Sequence, residues 1–334
     1  MKDIISHSTS LHAQVVKELI SKQNLSREEI DVIGYHGQTM FHQPDKKISI
    51  IVGDGQFLAD ELGIAVINDF RSNDIAHGGQ GAPFAPIYHQ ALGIRDNKIP
   101  LAVLNCGGIS NITIINSKVV TELIGFDTGP GNGLIDQLVF QRTKGKENMD
   151  QDGKYGEKGS VNQIVLDKLF EKSILKNGEN YFKALPPKSL DFGDMKLIDE
   201  LDSLSLEDAA RTLEAFTAET IVRSLSLVSG PIPRCWALAG GGWNNPVIKK
   251  ELKDRLLLAI EDPLQVMTAD EIGWNGRALE AQIFSYFAVR SLLNQPLSVP
   301  GTTRVSHPIS GGKLYLPRTA KTSQKVIQLL EKKS

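Results

Sequence analysis

GFDTGPGN, residues 125–132, sets three glycines and a proline around a single acid, Asp127. Glycine has no Cβ, so backbone amides in such a run can come close to a ligand. The helical pattern NGLIDQLVFQRT starts at Asn132 and puts the run at a helix N-terminus, where free N–H groups and the positive end of the macrodipole form an anion site. Two more glycine turns lie on either side in sequence, NCGGISN at 105–111 and AGGGWNNP at 239–246. Three such loops in a chain of alternating strand and helix patterns point to a phosphate-handling cleft in an α/β protein. Asp127 stands where a general base or a metal ligand is useful. A turn aspartate bonded to its own backbone remains the alternative on spacing alone. Asp136, farther along the helix, reads as structural.

Outward from this run the periodicity alternates. LHAQVVKELISKQ from Leu11 reads as a helix, DVIGYHG and KISIIVG as strands, QFLADELG as a helix stopped at Gly63, and IAVINDF as a strand ending at Asp69. A composition shift over 92–99 marks a boundary, after which LAVLNCGG and SNITIIN read as a hairpin with Gly107 and Gly108 at a tip that faces a ligand. The charged, turn-rich stretch 144–204 reads as an insertion carrying one or two helices. A long helix capped by Ser205 follows, then the strand RCWALAGGG, a helix from Asn245, and a last helix over DEIGWNGRALEAQIFSYFAVRSLL. The expected domains are 1–98 and 99–318, with 319–334 as a polar tail.

A formal charge of −2 leaves no basic footprint, so nucleic acid is not an expected partner. No apolar run reaches the roughly 20 residues that span a bilayer, and MKDIISHSTS lacks a signal-peptide pattern, so no membrane partner and a cytoplasmic location are expected. Cys106 and Cys235 form no framework and read as buried small apolar residues.

Two polar constellations remain. NDFRSNDIAHGGQGAP at 68–83 gathers Asp69, Arg71, Asp74, His77 and Gln80 after a strand, a mixture suited to an acidic, hydroxyl-rich small molecule, with a solvated, salt-bridged loop as the alternative. GYHGQTMFHQP at 34–44 brings His36, Gln38, Thr39 and His42 to another strand end; its spacing argues against zinc and leaves His36 a packing or substrate role. In the AGGG turn, Gly240, Gly241 and Gly242 would let adenosine lie on the backbone beside Asn244, although neither G-x-G-x-x-G nor a P-loop occurs. Glu280, on a mostly apolar helix, reads equally as a member of an ion pair and as a supporting acid.

Taken in order, GYHGQTMFHQP, the run from IVGDGQFLADELG to HGGQGAP, LNCGGISNIT, GFDTGPGN, LPPKS at 185–189, LAGGGWNNP and LEAQIFSYFAVRSL resemble the anhydro-N-acetylmuramic acid kinase family over nearly the whole chain. The resemblance implies an actin-like, sugar-kinase fold of two ribonuclease-H-like domains around a nucleotide cleft, with ATP and Mg²⁺. It also implies a paired reaction of peptidoglycan recycling. An aspartate activates water to open the 1,6-anhydro ring while O6 takes the γ-phosphate, giving N-acetylmuramic acid 6-phosphate and ADP.

By this resemblance Asp127 is the catalytic aspartate. Gly107, Gly108, Gly129, Gly131 and Asn132 face phosphate, Gly240, Gly241, Gly242 and Asn244 form the adenosine loop, and His36, Gln38, Asp69, Arg71, Asp74 and Gln80 lie on the amino-sugar side. The family opens with an M-S-G-T-S-x-D-G phosphate loop where this chain has MKDIISHSTS, so the first domain is expected to be N-terminally truncated. An inactive, sugar-binding relative is the alternative that follows, and an ATP-independent hydrolase using Asp127 and Glu280 is a third reading. A homodimer is compatible with the exposed helices of the second domain.

Overall fold

The computed structural model describes residues 2–331 apart from 44–45, 176, 192, 261–263 and 319. In chain order the first half runs α1 (Lys2–Lys22), β1 (Val32–Gly34), β2 (Gln38–Gln43), β3 (Ile48–Val52), α2 (Gly55–Leu62), β4 (Ala65–Asn68), α3 (Ser72–Ala76), α4 (Ala85–Arg95), β5 (Leu101–Cys106), β6 (Ile109–Ile115), β7 (Ile124–Pro130) and α5 (Gly133–Arg142). The second half continues with α6 (Gln163–Glu171), α7 (Leu206–Ser224), β8 (Cys235–Ala239), α8 (Pro246–Ala259), β9 (Gln265–Thr268), α9 (Leu279–Leu292), α10 (Pro300–Thr303), β10 (Lys313–Tyr315) and α11 (Gln324–Glu331). None of the described helices is long and apolar enough to cross a membrane.

Two compact units result, one of Met1–Tyr88 with Ala278–Ser334 and the other of His89–Arg277. This differs from the division drawn from sequence, in which 99–318 formed one domain. The reason is α9. It packs on β1 and β4, and a Cβ on Gly34 would collide with the Phe284 carbonyl, so strand and helix are in backbone contact. The segment after Arg318 is likewise docked rather than appended: Val326 of α11 is buried, and Ser323 and Lys325 both donate to Asp31 at 2.5 and 2.9 Å.

In the first unit β4 pairs parallel with β1 and antiparallel with β10, while β2 and β3 form a separate hairpin. Helix α1 starts at Lys2, nine residues before the periodicity placed it, because its buried positions Thr9 and Ala13 continue a stripe through HSTS. Thr9 Oγ1 also accepts from the Asp54 N–H at 3.1 Å and so ties α1 to the start of α2.

The second unit holds a five-stranded sheet in the order β7-β6-β5-β8-β9, in which β5, β6 and β7 are antiparallel and β5, β8 and β9 parallel. Three antiparallel strands followed by two parallel crossovers, in the order third-second-first-fourth-fifth, are the ribonuclease-H-like arrangement that the family resemblance implies for each domain; among the described residues only this unit shows it. Its core packs Trp236, Phe126 and Leu104 of the sheet with Phe216 of α7, whose Ser205 cap accepts from the Asp208 N–H at 3.0 Å. The insertion carries one α-helix, α6, and short 3₁₀ turns. The helix expected over 270–293 starts only at Leu279, as α9, because residues 270–278 turn back on themselves: the Trp274 N–H reaches the Ala269 carbonyl at 2.8 Å and the Gly276 N–H reaches Asp270 at 3.1 Å. Cys106 is buried and its thiol is pushed up to about 12 by burial, and Cys235 is half-buried.

Candidate functional site

Within the second unit, the glycine-rich turns meet at the C-terminal ends of the parallel strands β5 and β8, where ligands sit in open sheets. Most of GFDTGPGN is strand rather than loop. Asp127 lies opposite Asn111 and Gly129 opposite Ser110, so Thr128 is the extra residue of a β-bulge. Such bulges re-aim side chains.

The hairpin tip, Gly107–Gly108, is open: a Cβ on Gly108 would meet nothing within 4 Å, and one on Gly107 only the Ile109 carbonyl, at 3.9 Å. The start of α5 is not the free anion site expected from sequence. The N–H groups of Gly131, Asn132 and Gly133 donate to Gly108 O, Gly107 O and Gly108 O at 3.0, 2.8 and 3.3 Å. The hairpin carbonyls therefore occupy the end of the helix. Gly131 is glycine because a Cβ would collide with Gly107 O, and Gly129 because one would stand 2.7 Å from Thr220 Oγ1 of α7. Asn132 gives its amide to Asp136 at 2.5 Å, consistent with the structural reading of that acid.

The AGGG turn divides in the same way. Cβ atoms on Gly240 and Gly242 would collide with Cys106, whereas Gly241 has nothing within 4 Å and Asn244 is exposed. Backbone open to a ligand is thus confined to Gly107, Gly108 and Gly241.

Asp127 is half-buried and held on three sides. Its N–H donates to the Lys188 carbonyl at 2.9 Å, its carbonyl accepts from Tyr181 Oη at 2.5 Å, and its Oδ2 accepts from the Leu190 N–H at 2.9 Å. Burial pushes its carboxyl up to about 7, against the Leu190 hydrogen bond, which lowers it, and with the nearby Asp191 carboxylate, which raises it. A carboxyl poised near neutrality suits a general base. Beside it lies a cavity of about 600 Å³, lined by Gly108, Pro130, Leu134, Gln137, Leu190 and Asp191 among others. Tyr181 and Lys188 were not singled out in the sequence; Lys188 stood there only as part of the LPPKS segment.

Within the first unit a second cluster forms. Arg71 Nη2 donates to His36 Nε2 at 3.1 Å, Arg71 Nη1 donates to Gly81 O at 2.6 Å, and the other His36 nitrogen donates to Gly37 O at 2.9 Å. Burial and the Arg71 guanidinium lower His36 to about 4, so the ring is neutral and accepts from Arg71. Phe284 stacks on His36 at 4.6 Å between ring centroids. Glu280, exposed one turn before Phe284, and Asp74 both raise the pKa of Arg71 against the lowering caused by burial.

Gln80 precedes the Gly81 whose carbonyl accepts from Arg71, and its Oε1 is buried with no partner among the described residues. Three other expected residues are engaged differently. Asp74 is buried, with its oxygens on the Gly81 N–H and Thr303 Oγ1, both at 2.6 Å, and it shapes the loop. Asp69, at φ 58°, accepts from Ser72 at 2.5 Å, and Gln38 is exposed on β2. His42 spends both nitrogens on Ser49 Oγ and Gln80 O. Among the described residues no three His, Cys, Asp or Glu side chains converge as metal ligands.

The family model for anhydro-N-acetylmuramic acid kinase matches residues 2–317. A relative of that name in Rhizorhabdus wittichii is 42% identical over 309 residues, which are 92% of this chain and 80% of the relative. Another in Zymomonas mobilis is 42% identical over 307 residues, 92% of this chain and 79% of that one. A solved structure, component A of the (R)-2-hydroxyglutaryl-CoA dehydratase of Acidaminococcus fermentans, aligns over 81% of this chain and 82% of its own at 12% identity, with a TM-score of 0.41 that has no bearing on the site.

Proposed function

This chain belongs to the anhydro-N-acetylmuramic acid kinase family of carbohydrate kinases, and on that premise we propose that it phosphorylates 1,6-anhydro-N-acetylmuramic acid on O6 while hydrolysing its anhydro ring. The observation that carries the chemistry is Asp127, a carboxyl near neutrality on β7, three residues before Pro130, which pairs with Ile109 beside the open Gly107–Gly108 tip. Asp127 takes a proton from water as the water oxygen bonds to C1. The C1–O6 bond breaks, O6 bonds to the γ-phosphorus, and the bond from that phosphorus to the β–γ bridging oxygen breaks to release ADP.

Gly107, Gly108 and Gly241 fit a nucleotide, because their backbone is the part of the three turns that a ligand can approach. Mg²⁺ would enter with the triphosphate, whose oxygens and waters supply most of its ligands, and would neutralise charge on the transferring group. Arg71, His36, Gln80 and Glu280 are the residues we assign to the sugar. The buried Gln80 Oε1, which has no partner among the described residues, supports this, since an acceptor left that way is costly until a hydroxyl or amide reaches it.

The test is incubation with the anhydro-sugar, ATP and Mg²⁺ in ¹⁸O-water, followed by mass analysis. The expected product carries one phosphate and one heavy oxygen. Heavy oxygen without phosphate would instead make the protein a hydrolase, and sugar binding with no product would make it an inactive relative.

A further inference from the structure

Asp127, Lys188 and Tyr181 close a ring in which each residue donates to the next. The Asp127 N–H donates to the Lys188 carbonyl at 2.9 Å, Lys188 Nζ to the Tyr181 carbonyl at 3.0 Å, and Tyr181 Oη to the Asp127 carbonyl at 2.5 Å. Lys188 is 3% exposed, and its Nζ stands 4.4 Å from the Tyr181 ring centroid and 5.9 Å from that of Phe182. Among the described residues no carboxylate pairs with it, so a carbonyl and two aromatic faces take the place of a counter-ion.

Burying an amine this way costs free energy that an apolar side chain of the same length would not. A lysine kept merely to fill space is therefore a poor account of the position. What the amine adds is a donor that fixes the Tyr181 carbonyl and, through the ring, the placement of 188–190. That segment supplies the Leu190 N–H that holds Asp127 Oδ2 at 2.9 Å.

We propose that Lys188, with Tyr181, is a positioning residue that sets the direction of the Asp127 carboxylate, an inference that rests on the role given to Asp127 above. The ring grips only the backbone of Asp127, and the carboxylate is reached through Leu190, so neither Lys188 nor Tyr181 touches the reacting atoms. The groups that face the carboxylate are the Leu190 N–H, which favours its charged form, and the Asp191 carboxylate, which opposes it. Loosening the ring lets the Leu190 N–H drift away, and both the aim of the base and its readiness to ionise suffer.

The test is steady-state kinetics of Lys188→Met, which keeps the length of the stem and removes the donor, and of Tyr181→Phe, which keeps the ring and removes the hydroxyl that donates to the Asp127 carbonyl. Lys188→Met is expected to lower kcat at least about tenfold, since small misplacements of a reacting group are this costly, and Tyr181→Phe to lower it by a smaller factor. Both should leave KM for ATP and sugar within about threefold and move the acid limb of the kcat profile to higher pH. Should Lys188→Met fail to fold, Tyr181→Phe alone decides. Wild-type kcat with an unmoved limb, or a loss confined to KM, overturns the proposal. Asp127→Asn, run in parallel, separates the two readings: if it keeps its turnover, the assignment of the base fails; if it is dead while the two ring variants are normal, only the positioning role fails.

Discussion

At the scale of the residue, the sequence singled out Asp127 by its glycine neighbours but could not say how it is held. The clamp comes from 181–190, more than 50 positions downstream, and no local pattern links the two. Asp74 shows the opposite limit. In the sequence it resembles its neighbours Asp69 and Arg71, yet it is buried under Gly81 and Thr303, and only the fold separates a loop-shaping acid from one that meets a ligand. Because burial raises the Asp127 carboxyl of the free protein to about 7, the base is inactive when protonated, and kcat/KM should rise with pH and level off above about 7. Asp127→Asn should abolish turnover while leaving sugar affinity within a few-fold, as read by calorimetric titration. Turnover with an unshifted acid limb in that variant would remove Asp127 from the mechanism.

Among the elements, helices and strands with sustained periodicity were legible, including the β5–β6 hairpin and the Ser205 cap of α7. What a glycine is for was not. Of the glycines in the three turns, Gly131, Gly240 and Gly242 exist to let backbone or Cys106 pass, and Gly108 and Gly241 have empty space beside them. The α5 terminus misled for the same reason: its N–H groups look free in one dimension and are capped by a hairpin 24 residues earlier. The distinction gives a paired prediction. Gly241→Val should leave the unfolding temperature within a degree or two and weaken ATP binding at least about tenfold, with sugar affinity unchanged. Gly242→Val, whose Cβ would run into Cys106 Sγ, should cost about 1–3 kcal/mol of stability or more through overpacking. Parallel thermal melts and nucleotide titrations would show both; equal destabilisation of the two variants would mean that Gly241 is not open in solution.

For the whole molecule, the two-unit α/β plan was legible, but its seam was not. The strands on which α9 packs, β1 and β4, lie over 200 residues before it, and pairing at that separation leaves no trace in a sliding window. The pH response of stability is likewise set across the chain, by buried groups far apart in sequence. His36 and His89 are both lowered from 6.5 to about 4, mainly by burial. The unfolded chain takes up their protons first, so their contribution falls as pH drops from 6.5 towards 4. Asp127 and Glu214 are raised, chiefly by burial, from 3.8 to about 7 and from 4.5 to about 8. The unfolded chain loses those protons first, so stability falls as pH rises through these windows. From about 4.5 to 6.5 the two slopes oppose each other, and above 6.5 only the decline from the acids remains; Lys188, lowered to about 8 by burial, titrates above this range. Glu214 is the test. Its Oε1 accepts from Asn245 Nδ2 at 2.7 Å, its Oε2 receives no N–H, and the Asp150 carboxyl that faces it can be bonded only if a proton lies between them. A glutamine there can accept from Asn245 and donate to Asp150 at any pH. Glu214→Gln should therefore remove about 2 kcal/mol of the stability loss between pH 6.5 and 8, and narrow the gap between unfolding temperatures measured at pH 6 and pH 8. A gap equal to that of the wild type would mean that Glu214 is already ionised in the folded protein at pH 6.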